Sequence, residues 1–214
     1  MGKTDDNRIT PLINILIRTS NRPAQFARCL ESIRVQTYKR YKIIVGYDNE
    51  GAFKYVENSS YIFSMPVKAD KTLPYFYDLY CNDLKLLVTD GWFFFLDDDD
   101  QLASNTVLEK LADHLTQPGA IICQMLRNGV PKPADHYIRK KVIREGKIGL
   151  PCLILHSKHK ALSSLDGYKA GDYRYIKEVT DQVPTKFIPL PLVNAGARGH
   201  GKMEAKTTIS NISE

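Results

Sequence analysis

At 214 residues, 43% of them apolar, the chain is long enough for one well-buried α/β domain and too short for two comfortable ones. Against 24 Asp and Glu stand 30 Lys and Arg, and the net charge of +6 suits anionic small ligands, an anionic membrane surface or nucleic acid without choosing among them. No run approaches the roughly 18 to 20 apolar residues of a membrane span, and Met1 to Thr10 lack the apolar core of a signal peptide, so a cytoplasmic protein is expected.

After the polar leader, Leu12-Ile13-Asn14-Ile15-Leu16-Ile17 reads as a buried strand ending in Arg18-Thr19-Ser20-Asn21-Arg22-Pro23. The proline suits a first helical turn, and Phe26, Ala27, Leu30 and Ile33 recur at helical spacing to about Val35. Tyr41 to Val45 is a second strand. Gly46 to Gly51 follows as a loop by composition. A third strand is expected around Ile62 to Val67, with Pro66 against it. Pro74 then opens a helix whose apolar face is Phe76, Leu79, Tyr80, Leu84, Leu87 and Val88.

That helix delivers the chain to Trp92-Phe93-Phe94-Phe95-Leu96, a run that fits a strand buried on both faces, followed at once by Asp97-Asp98-Asp99-Asp100. Two unit charges about 4 Å apart repel by roughly 4 kcal/mol at the effective dielectric near a protein surface, so the cluster calls for a positive partner. A hard divalent cation, Mg²⁺ or Mn²⁺, shared with substrate phosphates meets that need. Val107, Leu108, Leu111, Ala112 and Leu115 mark the next helix, with Thr106 and Glu109 at capping-box spacing and Pro118-Gly119 ending it.

Ala120 to Met125 is another strand. Gly129, Pro131, Pro133, Gly146, Gly149 and Pro151 then break the pattern into an irregular or antiparallel region. Asp172 to Val179 reads as a short helix, Lys186 to Leu192 as a proline-interrupted edge segment, and the chain from Lys206 as a loose tail. Cys29, Cys81, Cys123 and Cys152 lie far apart in apolar segments, without a C-x-x-C pair, and are expected as buried reduced thiols.

Strand and helix alternate through residue 115, which implies parallel strands with right-handed crossovers whose C-terminal ends share one sheet edge. That edge receives Arg18-Thr19-Ser20, Asp48 and Asp97 to Asp100, and ligands of open α/β sheets bind outside such ends. Asp97 and Asp99 stand two apart and in an extended chain point to the same side, toward one cation or a cation and a ribose diol. There is no G-x-x-x-x-G-K-[ST] or G-x-G-x-x-G turn to cradle phosphates, so a metal takes that place.

Ile13 to Pro23, Cys29-Leu30-Glu31-Ser32-Ile33 with Gln36-Thr37-Tyr38, Ile43-Ile44-Val45 with Asp48, and Phe95-Leu96-Asp97-Asp98-Asp99-Asp100 together resemble the N-terminal half of family 2 glycosyltransferases, over roughly the first 115 residues. The resemblance implies the GT-A fold, a Rossmann-like mostly parallel sheet with helices on both faces and a smaller irregular or antiparallel acceptor-side region. It implies one domain over 1–214, with 11–115 as the nucleotide-sugar half, 116–205 as the acceptor half, and 1–10 and 206–214 as flexible ends. The implied activity is metal-dependent inverting transfer of a hexosyl or N-acetylhexosaminyl group from a nucleotide-diphosphate sugar, UDP-linked by expectation, to a hydroxyl of a saccharide or lipid-linked acceptor in polysaccharide or glycolipid assembly. Such a protein works in the cytoplasm or at the inner face of the membrane; Arg139-Lys140-Lys141 with Arg144 reads first as a solvated basic face, with contact to anionic lipid as the alternative. No RNA-binding pattern accompanies Tyr75, Phe76 and Tyr77, and nucleic acid is not an expected partner.

By the same resemblance, Thr19, Ser20 and Arg22 lie beside the base and Asp48 hydrogen-bonds it. Asp97 contacts the ribose with a possible share in the metal, Asp99 coordinates Mn²⁺ or Mg²⁺, Asp100 faces the sugar or acceptor, and Asp98 completes the nucleotide-sugar set while turning away from the metal. Asp172, in Ala170-Gly171-Asp172-Tyr173, is the expected catalytic base; Arg198, His200 and Lys202 read first as a flexible solvated loop, with a lid over the diphosphate and His200 as a further metal ligand as the alternative. Two departures stand out: Tyr47 where the family often carries a first aspartate, and Gly171 in place of the first acid of its late acidic pair. A non-catalytic nucleotide-sugar or metal-binding module, or a sugar-phosphate nucleotidyltransferase, remains the alternative; the latter needs a Gly-rich loop, and Arg18 to Arg22 has no glycine.

Overall fold

The computed structural model describes residues 10–56, 62–66 and 72–196. Strand β1 (Ile13–Thr19) is buried at every position except Arg18, as its apolar run requires. It pairs in parallel with β2 (Tyr41–Tyr47) on one side and β4 (Trp92–Asp97) on the other, so that Leu16 lies between Ile44 and Phe95. Helix α1 (Pro23–Arg34) joins β1 to β2 and turns Phe26, Cys29, Leu30 and Ile33 inward, with Pro23 in its first turn where the missing N–H costs nothing.

The loop expected at Gly46–Gly51 shrinks to two residues. Gly46 pairs with Arg18, β2 runs on to Tyr47, and helix α2 (Glu50–Val56) starts immediately, its Ala52 N–H donating to Asn49 Oδ1 at 2.8 Å. Strand β3 (Ile62–Pro66) adds in parallel to β2 at the sheet edge, where a terminal proline is tolerated.

The helix expected from Pro74 is also corrected. A 3-10 turn over Phe76–Leu79, none of whose side chains is buried, precedes α3 (Tyr80–Leu86). Tertiary contacts hold the turn: Tyr75 N–H donates to Gly167 O, and Arg18 takes hold of Tyr77 O and Asp78.

Beyond β4 come the short β5 (Gln101–Leu102) and α4 (Val107–Ala112). The Thr106–Glu109 capping box does not form. Thr106 makes no side-chain cap, and Glu109 Oε2 accepts from Thr37 Oγ1 at 2.8 Å. The helix start is served from outside, by Gln36 Oε1 accepting from Leu108 N–H at 3.2 Å.

In the second half, β6 (Ala120–Arg127) carries the antiparallel hairpin strand β7 (Val130–Lys132), followed by α5 (Asp135–Lys140), β8 (Leu153–His156), α6 (Gly171–Gln182) and β9 (Thr185–Ala195). The sheet runs β3-β2-β1-β4-β8-β6-β9-β5, with β8 antiparallel to both β4 and β6. The expected antiparallel element is therefore an insert within one sheet.

The segment expected at an edge is interior, since β9 pairs in parallel with β6 and antiparallel with β5. Its prolines are accommodated by register shifts: Ile122 faces Phe187, whereas Gln124 faces Pro191 and Met125 faces Val193. All four cysteines are free and buried, and no helix among the described residues is long and apolar enough to cross a membrane.

Candidate functional site

The parallel register of β1, β2 and β4 brings Thr19, Tyr47 and Asp97 to the same edge. A cavity of about 890 Å³ opens there, at the upper end of ordinary ligand-site volumes. Thr19, Ser20, Arg22, Asp48, Asp97, Asp99, Asp100 and Asp172 all line it, so residues up to 153 positions apart in the chain meet at one site (172 − 19 = 153). Asp98 does not. Its carboxylate is 0% exposed, ion-paired with Arg22 and accepting from Thr19 Oγ1 at 2.7 Å. It belongs to the scaffold beneath the cavity floor and not to the ligand-facing surface. His200, Arg198 and Lys202 lie outside the described residues.

The aspartate run turns tightly, Asp100 N–H donating to Asp97 O at 3.0 Å, and this aims successive carboxylates in different directions. Their positive partners come first from β1 and the residues after it. Arg18 Nε donates to Asp97 Oδ1 at 2.9 Å and its Nη1 reaches Asp78 Oδ1 at 2.6 Å, with the guanidinium 5.0 Å from the Tyr77 ring centre. Arg22 pairs with Asp98 and, at 3.4 Å, with Asp99. Burial works against the Arg18 charge, but Asp97 and Asp78 outweigh it and hold the pKa well above its ordinary value.

Two arginines do not neutralise the cluster. Burial raises Asp98 to about 6 despite Arg22 and Thr19, and burial with the neighbouring Asp97 raises Asp99. Asp100 is pushed up to about 8 by burial and by Asp97, against the Gly196 N–H that donates to its Oδ1 at 2.7 Å.

Asp48 does not merely close a turn. Asn49 caps α2 through its Oδ1, while Asp48 Oδ2 accepts from Tyr80 Oη at 3.0 Å and Oδ1 from Asn49 Nδ2 at 2.6 Å. Asn49 Nδ2 also reaches Ser20 Oγ at 3.3 Å. Each carboxylate oxygen has two lone pairs and one of these donors, which leaves Asp48 able to accept another N–H. Burial followed by the Asp48 contact drives the Tyr80 phenol pKa upward, keeping it a donor.

Asp172 lies in the first turn of α6, where the helix dipole favours a carboxylate, and its Oδ1 accepts from Tyr173 N–H at 2.7 Å. The cap position is Ala170, at φ 61°, so Asp172 is not the N-cap. Burial raises its pKa. Gly171 beside it is crowded: a Cβ there would stand 3.0 Å from Asp166 Oδ1, whose carboxylate Arg174 holds at 2.7 and 2.9 Å.

Among the described residues, no group of three or more His, Cys, Asp or Glu is placed to hold a metal by itself. Mg²⁺ and Mn²⁺ shared with a diphosphate need only one or two protein carboxylates, and the donor set here is of that kind. Asp97 and Asp99, with side chains 35% and 26% exposed, face the cavity and supply hard oxygen ligands. The residues fit such an ion.

No family model matches the chain, and no curated protein is similar to it in sequence. Solved structures are similar to it in fold. S. aureus TarS 1–349 in complex with UDP-GlcNAc superposes with a TM-score of 0.67 at 14% identity, over 94% of this chain and 61% of that one. TarS 1–349 in complex with UDP gives 0.65 at 12% identity, over 86% and 60%. The mannosyltransferase PcManGT from Pyrobaculum calidifontis, in complex with GDP-Man and Mn²⁺, gives 0.65 at 15% identity, over 91% and 59%. The fold is GT-A-like. At these identities the likeness extends to the fold alone, and the chain spans about 60% of the length of those structures.

Several lining residues were not singled out from the sequence. Asp78 and Tyr80 look like ordinary residues of a helix start, and only the third strand-to-helix connection carries them to the sheet edge. Arg18 was visible as a strand-end residue. Its two-carboxylate bridge depends on contacts 60 and 79 positions away.

Proposed function

We propose that the chain is a glycosyltransferase that moves a sugar from a nucleotide-diphosphate donor, a UDP-sugar in the first instance, to a hydroxyl acceptor with inversion. The observation that carries this reading is the meeting of Asp48, Asp97, Asp99, Asp100 and Asp172 on one cavity at the carboxyl ends of β1, β2 and β4. Asp48, oriented by Tyr80 and Asn49, accepts an N–H of the base, with Ser20 and Arg22 beside it. Asp97, fixed by Arg18, receives the ribose diol. Asp100 turns toward the transferred sugar.

Asp172 takes the proton of the acceptor hydroxyl as its oxygen forms a bond to the anomeric carbon, and the bond to the nucleoside diphosphate breaks on the opposite face. One displacement inverts the anomeric configuration. Asp99 and Asp97 would hold Mn²⁺ or Mg²⁺, which when bound neutralises charge on the departing diphosphate. The deciding comparison is wild type against Asp99→Ala, measured as sugar transfer and as the Mn²⁺-dependent thermal shift with UDP. Both are expected to collapse in the variant, and wild-type levels of both would sink the proposal.

The second reading, a nucleotide-sugar-binding module without turnover, is favoured by Gly171, which leaves Asp172 without an acidic neighbour in a space already filled by Asp166. Slow hydrolysis of a panel of nucleotide sugars with Mn²⁺ separates the two: turnover supports the transferase, and binding with no turnover supports the module.

A further inference from the structure

The charges lining the cavity differ between the two halves of the chain. Toward the β1, β2 and β4 ends its wall carries Asp48, Asp78, Asp97, Asp99 and Asp100, and the two arginines there, Arg18 and Arg22, are already engaged with carboxylates. From the second half of the chain the same lining carries Arg127, Lys132, Lys147 and Lys169 together with Glu145 and Asp172. These four cations arrive from four separate places: the end of β6, the end of β7, the segment between α5 and β8, and the approach to α6. Among the described residues none of them makes an ion pair.

Unpaired basic side chains on a surface are ordinary. Four lining one cavity are different, because low-dielectric walls focus their field into the space a ligand occupies, and their mutual repulsion is relieved by an anion. Arg127, at the end of β6, is close enough to Asp100 and Asp172 for its charge to oppose the rise of both pKa values. Lys132 pairs with Met125 of β6, and β6 lies two strands from β4 in the sheet.

We propose that these four residues belong to the acceptor subsite and that it takes an anionic acceptor, a saccharide or polyol chain whose units carry phosphate or carboxylate groups. The proposal rests on the transferase reading of the same cavity and names its substrate class. The reacting hydroxyl reaches Asp172 while charged groups of the neighbouring unit sit on Lys132 and Lys147. The competing assignment gives these lysines to the donor diphosphate, and it makes the opposite forecast about nucleotide binding.

The test is calorimetric titration of the full chain, with and without saturating UDP and Mn²⁺, using three probes: a glycerol-phosphate trimer, a galacturonate trimer and neutral maltotriose. At least one anionic trimer is expected to bind about tenfold or more tighter than maltotriose, and to weaken with added NaCl. The phosphate and carboxylate arms show which group is preferred. In Lys132→Gln/Lys147→Gln, checked for folding by circular dichroism, that preference is expected to vanish while UDP affinity stays within about twofold of wild type. Equal binding of all three trimers, binding of none, or loss of UDP affinity in the variant overturns the proposal, the last outcome giving the lysines to the diphosphate. If wild type fails to bind UDP, the transferase reading fails separately, and the titrations without UDP still report on the anionic subsite.

Discussion

Arg18 Nε donates to Asp97 Oδ1 at 2.9 Å while the same guanidinium reaches Asp78 Oδ1 at 2.6 Å, so one side chain of β1 ties the end of β4 to the turn before α3. The bridge fixes a cavity carboxylate and the aromatic wall together. Replacing Arg18 with Met leaves one largely buried and one partly exposed carboxylate without their cation. A loss of about 2 to 3 kcal/mol is expected, less than for a fully buried pair because Asp97 is about one-third exposed. Urea unfolding measures it, and Arg18→Met/Asp78→Asn should recover part of the loss because it removes one stranded charge.

With Asp172 as the proposed base, a pH dependence is expected whose sign follows from its burial. Burial favours the protonated form, so the carboxylate needed to accept a proton appears only above a raised pKa. Activity is expected to fall as pH drops through that value, at a higher pH than the ordinary aspartate pKa of about 3.9 would give. Asp172→Asn should lower kcat by about 10² to 10⁴ and abolish this acid limb in the residual rate, as a pH–rate profile would record. Stability moves the other way. The folded state holds this proton more tightly than the unfolded state, so between the two pKa values the group lowers stability as pH rises, and Asp172→Asn removes that contribution.

Gly91 is fixed by the fold. It sits at φ +77°, and a Cβ there would stand 2.4 Å from Leu12 O, the acceptor for Trp92 N–H. Gly91→Ala is expected to cost about 2 to 4 kcal/mol, from left-handed strain plus displacement of β1. Gly129, at φ +74° with nothing within 4 Å, is the control, and Gly129→Ala should cost only about 1 kcal/mol in the same denaturation experiment.

Tyr175 on α6 is 1% exposed, and among the described residues its hydroxyl has no hydrogen-bond partner. Its ring packs edge-on to Phe95 and lies 5.2 Å from the Lys85 ammonium. Tyr175→Phe keeps both contacts and removes the orphaned group. An increase of about 1 kcal/mol in unfolding free energy is expected, and a decrease of that size would mean the hydroxyl is satisfied.

The sequence by itself determined the parallel half of the molecule. Residues Ile13 to Ile17, Tyr41 to Val45 and Trp92 to Leu96 are short apolar runs separated by helical periodicity, and right-handed crossovers then force Thr19, Asp48 and the aspartates onto one edge. What the tertiary structure alone decided rests on distant partners. Whether Glu109 closes a capping box or receives Thr37 depends on where α1 ends, and whether β9 is an edge depends on β5 pairing beyond it. The same holds for the four aspartates. Local spacing makes them look equivalent, yet the turn at Asp97–Asp100, Arg18 of β1 and Arg22 just before α1 bury Asp98 in the scaffold and leave Asp97 and Asp99 facing the cavity. Side-chain charge is written in the sequence, but the dielectric around it and the partner opposite it exist only once the chain has folded.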